Sequence, residues 1–163
     1  MKNTLLMNFT VDRENKKIKV EREFAAPLAK VWAAWTDPEI LDQWWAPKPW
    51  RAETKSMNFK VGGYWLYAMV GPDGTRHWAR VDYQAIDPMN YYTAQDAFCD
   101  ENGEVNTSFP INVWLNEFKA SGESTMVHVT LSFNEVSDLE KIIEMGFKEG
   151  FTMAMGNLDE LLA

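Results

Sequence analysis

The sequence is poor in the groups that carry most metal, redox and nucleic-acid chemistry. One cysteine, Cys99, and two histidines, His77 and His128, occur in 163 residues. A lone cysteine excludes an intrachain disulfide and a multi-cysteine metal site, and it fits a reducing compartment. Neither histidine has a companion two or four residues away, and no His-Glu-x-x-His word occurs, so no metal is expected and both read as satisfied surface residues. Cys99, next to the turn "DENG" and without an activating base nearby in sequence, reads as a small half-buried residue. Lys and Arg number 16 against 24 Asp and Glu, a formal net charge of -8. Phosphate backbones are held by clustered cations, so nucleic acid is not an expected partner. No apolar run approaches about 18 residues, and "MKNTLLMNFTVDRENKK" lacks the apolar core of a signal peptide. No membrane association is expected, and the location reads as cytoplasmic. The glycines of "VGG", Val61 to Gly63, form neither a Walker word nor a Gly-x-Gly-x-x-Gly word. They read as a strand bend or a close backbone approach, and no cofactor is expected.

What the chain has in quantity is bulk. Eight Trp, nine Phe, five Tyr and nine Met stand in an otherwise ordinary composition of 46% hydrophobic and 25% charged residues. A chain of this length buries roughly 70% of its unfolded surface, so one core and a single domain over 1–163 are expected. Large rings need a thick core or a cavity to line, and methionine fills irregular gaps.

"LLMNFTV" and "KIKVEREF" read as strands joined by the loop "DRENKK", with Ile18, Val20 and Arg22 alternating against Lys17, Lys19 and Glu21. In "APLAKVWAAW", Pro27 suits a first helical turn, and Leu28, Val31, Trp32 and Trp35 recur at helical spacing. "TDPE" then restarts the chain: Thr36 or Asp37 can cap a second short helix with Pro38 in its first turn. After "APKP" come "RAETKSMNF", "YWLYAMV", "HWARVDYQAI", "YYTAQDAF", "INVWLNEF" and "TMVHVTLSF", separated by turn words such as "GPDG" and "DPMN". The pattern predicts an antiparallel meander of six to seven strands. "SDLE", Ser137 to Glu140, reads as a capping box opening one helix toward Leu162. Ile143, Phe147, Phe151, Ala154, Leu158 and Leu161 make its apolar stripe. The order predicts an α+β layer structure. Gly146, Gly150 and Gly156 fall within the predicted helix, at roughly 1 kcal/mol each against alanine. Their missing side chains leave room for a ligand or, equally, for closer packing against the strands.

The words "EREFAAPLAKVWAAWTDPEILDQWWAP", "GGYWLYAMVGPDG" and "EGFTMAMGNLDELL" together resemble homologues of the activator of the heat-shock-protein-90 ATPase. That family belongs to the START-like, birch-pollen-allergen-like superfamily (SRPBCC). The resemblance runs over about 17–162, with 1–16 an N-terminal strand and hairpin extension. It implies a helix-grip fold, a curved antiparallel sheet around a long C-terminal helix enclosing an apolar cavity, with two short helices near the N-terminus. The chain departs from the family pattern at Gly150-Phe151, where Gly-Trp is frequent, and at Val81 and Ala85, where Gly and Glu are frequent. The first change at the strand would narrow a cavity and the second would remove a buried carboxylate.

Alternation places Trp65, Tyr67 and Met69 on one strand face and Ala79, Val81 and Tyr83 on another. In the resembled fold the first face meets the long helix, and Tyr83 supplies an inward hydroxyl that needs a partner. "INVWLNEF" has two acceptable faces, Ile111/Val113/Leu115 or Asn112/Trp114/Asn116/Phe118, exchanged by a one-residue slip at Ser121-Gly122. Consecutive helical residues point about 100° apart, so one of Trp44 and Trp45 should meet the hollow, with Trp45 favoured, while the other packs at its edge. The ligand-cavity candidates are Trp45, Trp65, Tyr67, Met69, Tyr83, Trp114, Phe147, Gly150, Phe151 and Ala154; there is no catalytic candidate. A core filled by these same residues is the competing explanation.

Three functions follow. The first is a non-enzymatic cavity protein for a small hydrophobic or aromatic molecule, as monomer or homodimer. The second, implied by the resemblance, is a stress-related co-chaperone contacting a heat-shock-protein ATPase. The third, known from other superfamily members, is polyketide cyclase or aromatase chemistry. It needs convergent polar groups, for which the tyrosines, Arg80, Asn112 and Asn116 are the available residues.

Overall fold

A computed structural model describes residues 5–163. The first turn signal sets up an edge hairpin: β1 (Met7–Asp12) pairs with β2 (Lys17–Phe24) across the loop that begins at Arg13. Alternation along β2 buries Ile18, Val20, Arg22 and Phe24 on one face. Two helices follow, α1 (Leu28–Thr36) and α2 (Pro38–Trp44). Pro27 stands just outside α1 as its N-cap, one residue before the expected position. Then come β3 (Arg51–Met57), β4 (Tyr64–Val70), β5 (Arg76–Asp87), β6 (Tyr91–Cys99), β7 (Asn112–Ser121) and β8 (Ser124–Ser132).

All eight strands form one antiparallel sheet in the order β1-β2-β8-β7-β6-β5-β4-β3. The count exceeds the predicted six to seven because the N-terminal hairpin is continuous with the meander: Val20 of β2 is in register with Val129 of β8. The α1–α2 segment therefore carries the chain from β2 near one edge to β3 at the other. The sheet is open, and the helices cover its inner face in a helix-grip arrangement. Close backbone approach explains one glycine of "VGG": a methyl group on Gly63 would lie 2.1 Å from the Asn58 carbonyl oxygen.

The predicted single C-terminal helix is two, α3 (Val136–Glu144) and α4 (Phe147–Leu162). Gly146 divides them at φ 89°, a left-handed conformation that favours glycine, and its N–H donates to the Ile143 carbonyl at 3.0 Å. The capping box is absent as well. Glu135 is the N-cap of α3 with no side-chain bond, Ser137 lies inside the helix, and Glu140 bonds Arg13 across the β1–β2 loop. On α4, Phe151, Ala154, Met155 and Leu158 are buried, whereas Leu161 is exposed. Arg22 of β2 and Asp159 of α4 form an ion pair that ties the helix to the sheet.

Candidate functional site

The site begins with the short second helix. Asp37 caps α2 by accepting from the Glu39 N–H at 2.9 Å, and Pro38 occupies the first turn, where its missing donor costs nothing. With its start fixed, α2 folds back on α1 and separates two adjacent tryptophans. Trp44 is fully buried, its Nε1–H donating to the Ala34 carbonyl at 2.9 Å and its ring 5.0 Å from that of Trp35. The expected edge position is thus replaced by a place in the core, because Trp35 of α1 sits where Trp44 emerges. Trp45 turns toward the sheet and donates from Nε1 to the Tyr67 hydroxyl oxygen at 2.9 Å. Asn157 of α4 donates to the Ala46 carbonyl at 3.1 Å and so holds the end of α2 against the C-terminal helix.

Between the sheet and these helices is a hollow of about 230 Å³. Tyr67 and Met69 of β4, His77 and Ala79 of β5, Asp96 and Phe98 of β6, and Asn112 and Trp114 of β7 form the strand side. Trp45, Pro47, Met145, Phe147, Gly150 and Phe151 form the helical side. Gly150 contributes space without crowding: a methyl group there would meet Pro47 Cγ at 3.7 Å, an ordinary contact. Gly156 has open space around it and no such neighbour. Trp114 meets Phe147 and Phe151 edge to face, whereas Trp45 is tilted against Trp114. Trp114 lies 5.9 Å from Phe147 and 5.6 Å from Phe151, and Trp45 lies 5.8 Å from Trp114.

Of the sequence candidates, the structure brings Trp45, Tyr67, Met69, Trp114, Phe147, Gly150 and Phe151 onto this hollow. It places Trp65 behind Tyr67, stacked at 4.0 Å, and Trp65 and Tyr83 border a smaller space of about 20 Å³. Tyr83 packs 4.7 Å from Phe59 and is no part of the larger wall. Ala154 is buried in the core on α4. The inward face of β7 is Asn112/Trp114/Asn116/Phe118, because Ser121 pairs with Ser124 around the turn at Gly122 and fixes the register. Arg80 is directed elsewhere: it bonds Asp82 at 2.8 and 2.6 Å and the Gly103 carbonyl at 2.7 Å.

Sequence reasoning missed His77 and Asp96. The signal for Asp96 was its alternation with Tyr92 and Ala94, readable once Trp114 is known to face inward, since β6 and β7 are neighbours. Asp96 Oδ2 accepts from Trp114 Nε1 at 3.2 Å. Burial among these rings pushes its carboxyl up to about 6, against the Trp114 and Ala97 N–H groups that favour the charged form. Burial, then the nearby Asp96, raises the Tyr67 hydroxyl far above its usual range, so it stays a neutral phenol able to donate. The Cys99 thiol is likewise pushed up to about 11 by burial, which removes thiolate chemistry at neutral pH. Asn112 and Asn116 each keep a buried Oδ1 without a protein partner among the described residues. No cluster of three His, Cys, Asp or Glu side chains able to hold a metal occurs among the described residues.

A family model described as Activator of Hsp90 ATPase homolog 1-like protein matches residues 25–163. The chain is similar to the solution structure of a protein from Arthrobacter aurescens, with 29% identity and a TM-score of 0.90, over 95% of this chain and 90% of that one. It is also similar to a crystal structure of a protein from Mycobacterium smegmatis, with 26% identity and a TM-score of 0.89, over 98% of each chain. A third similar solution structure, from Staphylococcus epidermidis, has 29% identity and a TM-score of 0.82, over 94% of this chain and 93% of that one. Among curated proteins none matches the chain. No helix is long and apolar enough to cross a membrane among the described residues.

Proposed function

The chain belongs to the Activator of Hsp90 ATPase homolog 1-like family, and on that premise we propose that it binds a small aromatic or hydrophobic molecule between the sheet and α4. The observation that carries this reading is the hollow of about 230 Å³, walled by Trp45, Trp114, Phe147 and Phe151 and kept open where Gly150 lacks a side chain. Apolar burial supplies the driving force at about 25 cal/mol per Å² of buried apolar surface. The neutral Tyr67 hydroxyl and the buried Asn112 amide orient the ligand. The family name alone does not transfer an action on a chaperone, and nothing in the geometry adds to that reading.

Calorimetric titration with 2-(1-naphthyl)ethanol, a neutral bicyclic probe, tests the proposal. Micromolar binding to the wild type and loss of binding in a folded Gly150→Leu variant, whose side chain fills the hollow, are expected. Equal binding to both proteins, or no binding to the wild type, would refute it.

A further inference from the structure

Asp96 presents the one carboxylate on a wall that is otherwise mostly apolar, with Tyr67, His77 and Asn112 among its polar side chains. Its Oδ2 has the Trp114 N–H at 3.2 Å, and the Ala97 backbone N–H also favours its charged form. A carboxylate offers about four acceptor positions, so part of its capacity is unused. It forms no ion pair among the described residues. Arg80, a cation on the neighbouring strand, is committed to Asp82 and the Gly103 carbonyl. On β7 Asn112 stands directly opposite Asp96 in register, is 4% exposed, borders the same hollow, and has a buried Oδ1 with no protein partner. Two acceptors thus lie side by side in an apolar chamber without a protein cation, an arrangement that costs stability unless an occupant compensates it.

Resting on the cavity reading above, we propose that the occupant is an aromatic amine whose ammonium group binds Asp96 and Asn112. An ammonium has three donors and no acceptor, which matches an unsatisfied carboxylate beside an amide oxygen. Its ring fills the space among Trp45, Trp114 and Phe151, whose faces attract a cation as well as apolar surface. A metal ion is the poorer match, because no group of three His, Cys, Asp or Glu side chains able to hold one includes Asp96 among the described residues.

The test compares 2-(1-naphthyl)ethylamine with 2-(1-naphthyl)ethanol by calorimetry at pH 8, where the amine is largely protonated and the two probes have nearly the same shape. The amine should bind at least tenfold more tightly than the alcohol to the wild type, and Asp96→Asn should abolish that preference. Equal affinities in the wild type, or a preference that survives in Asp96→Asn, would overturn the ammonium assignment and leave the cavity reading standing. Failure of both probes to bind the wild type would overturn both.

A pH series on the wild type needs no variant. With the Asp96 carboxyl pushed up to about 6, the amine preference should decline below that pH by up to tenfold per unit as the carboxylate is protonated. The titratable groups near Asp96 are Tyr67 from β4, His77 and Tyr83 from β5, and Tyr92 and Cys99 on its own strand; β7 presents Asn112, Trp114 and Asn116, and α4 presents Phe147 and Phe151. The series is repeated with His77→Asn, because His77 also borders the hollow. A decline that persists in that variant supports Asp96; a flat profile, or one lost with His77, contradicts it.

Discussion

Trp114 Nε1 donates to Asp96 Oδ2 at 3.2 Å between adjacent strands, so the one carboxylate of the hollow is held by an indole and not by a cation. An acid whose folded value is raised favours the folded state most when protonated. Its contribution is complete below the unfolded value of 3.8 and is lost as the pH rises through about 6. The interval from 3.8 to about 6 corresponds to roughly 3 kcal/mol, and water reaching the side open to the hollow reduces this to on the order of 1–2 kcal/mol. Asp96→Asn should therefore be more stable than the wild type by that amount at pH 7.5, with the difference closing near pH 4. Denaturant unfolding over this pH range checks both the sign and the window.

The helical glycines separate volume from backbone effects. Gly156 lies within α4 with nothing within 4 Å of an added methyl group. Gly156→Ala should stabilise the protein by about 0.5–1 kcal/mol through helix propensity and leave probe binding unchanged, as thermal unfolding and calorimetry will show. Gly146→Ala should destabilise the protein by about 1 kcal/mol or more, because φ is 89° there.

Adjacent tryptophans should behave differently. Trp44→Ala removes a fully buried ring and leaves the Ala34 carbonyl without its donor; a loss of about 3–5 kcal/mol is expected in denaturant unfolding. Trp45→Phe keeps most of the ring volume and loses the bond to Tyr67. It should cost about 1 kcal/mol in the same measurement while weakening naphthylethanol binding in calorimetry.

The Arg22–Asp159 pair joins β2 to α4 with the Arg22 side chain 10% exposed. Asp159→Ala strands that guanidinium, which keeps the Glu23 carbonyl and the Phe24 ring as neighbours, and should cost about 1–3 kcal/mol. Arg22→Met combined with Asp159→Leu should recover most of the loss, since replacing both partners removes the buried charge. A double-mutant cycle by denaturant unfolding measures this.

Element types were legible because period and turn chemistry agreed, as in β2, where Ile18, Val20 and Arg22 share a face, and at "TDPE", where Asp37 and Pro38 start α2. Boundaries at the C-terminus were less so. Gly146 reads from the sequence as a costly glycine inside one helix, and only its left-handed φ marks it as the stop. Ser137 and Glu140 have the spacing of a capping box, but the helix starts too early for Ser137 to serve as its cap. The site was partly legible for a geometric reason. Strand alternation assigns residues to faces but does not say which face is inside, and the register around Gly122 fixes this for Asn112 and Trp114 and, through β6, for Asp96. Tyr83 and Trp65 share the inward direction of the cavity residues yet lie farther along the sheet, a distance that periodicity does not encode.

The most direct test of the central claim is a nuclear magnetic resonance titration with 2-(1-naphthyl)ethanol, read by intermolecular nuclear Overhauser effects. Contacts from the naphthyl protons to the side chains of Trp45, Tyr67, Trp114 and Phe151 are predicted, with the remainder of the sheet undisturbed. Contacts confined to the outer surface, or none at saturating probe, would contradict a ligand site between the sheet and α4.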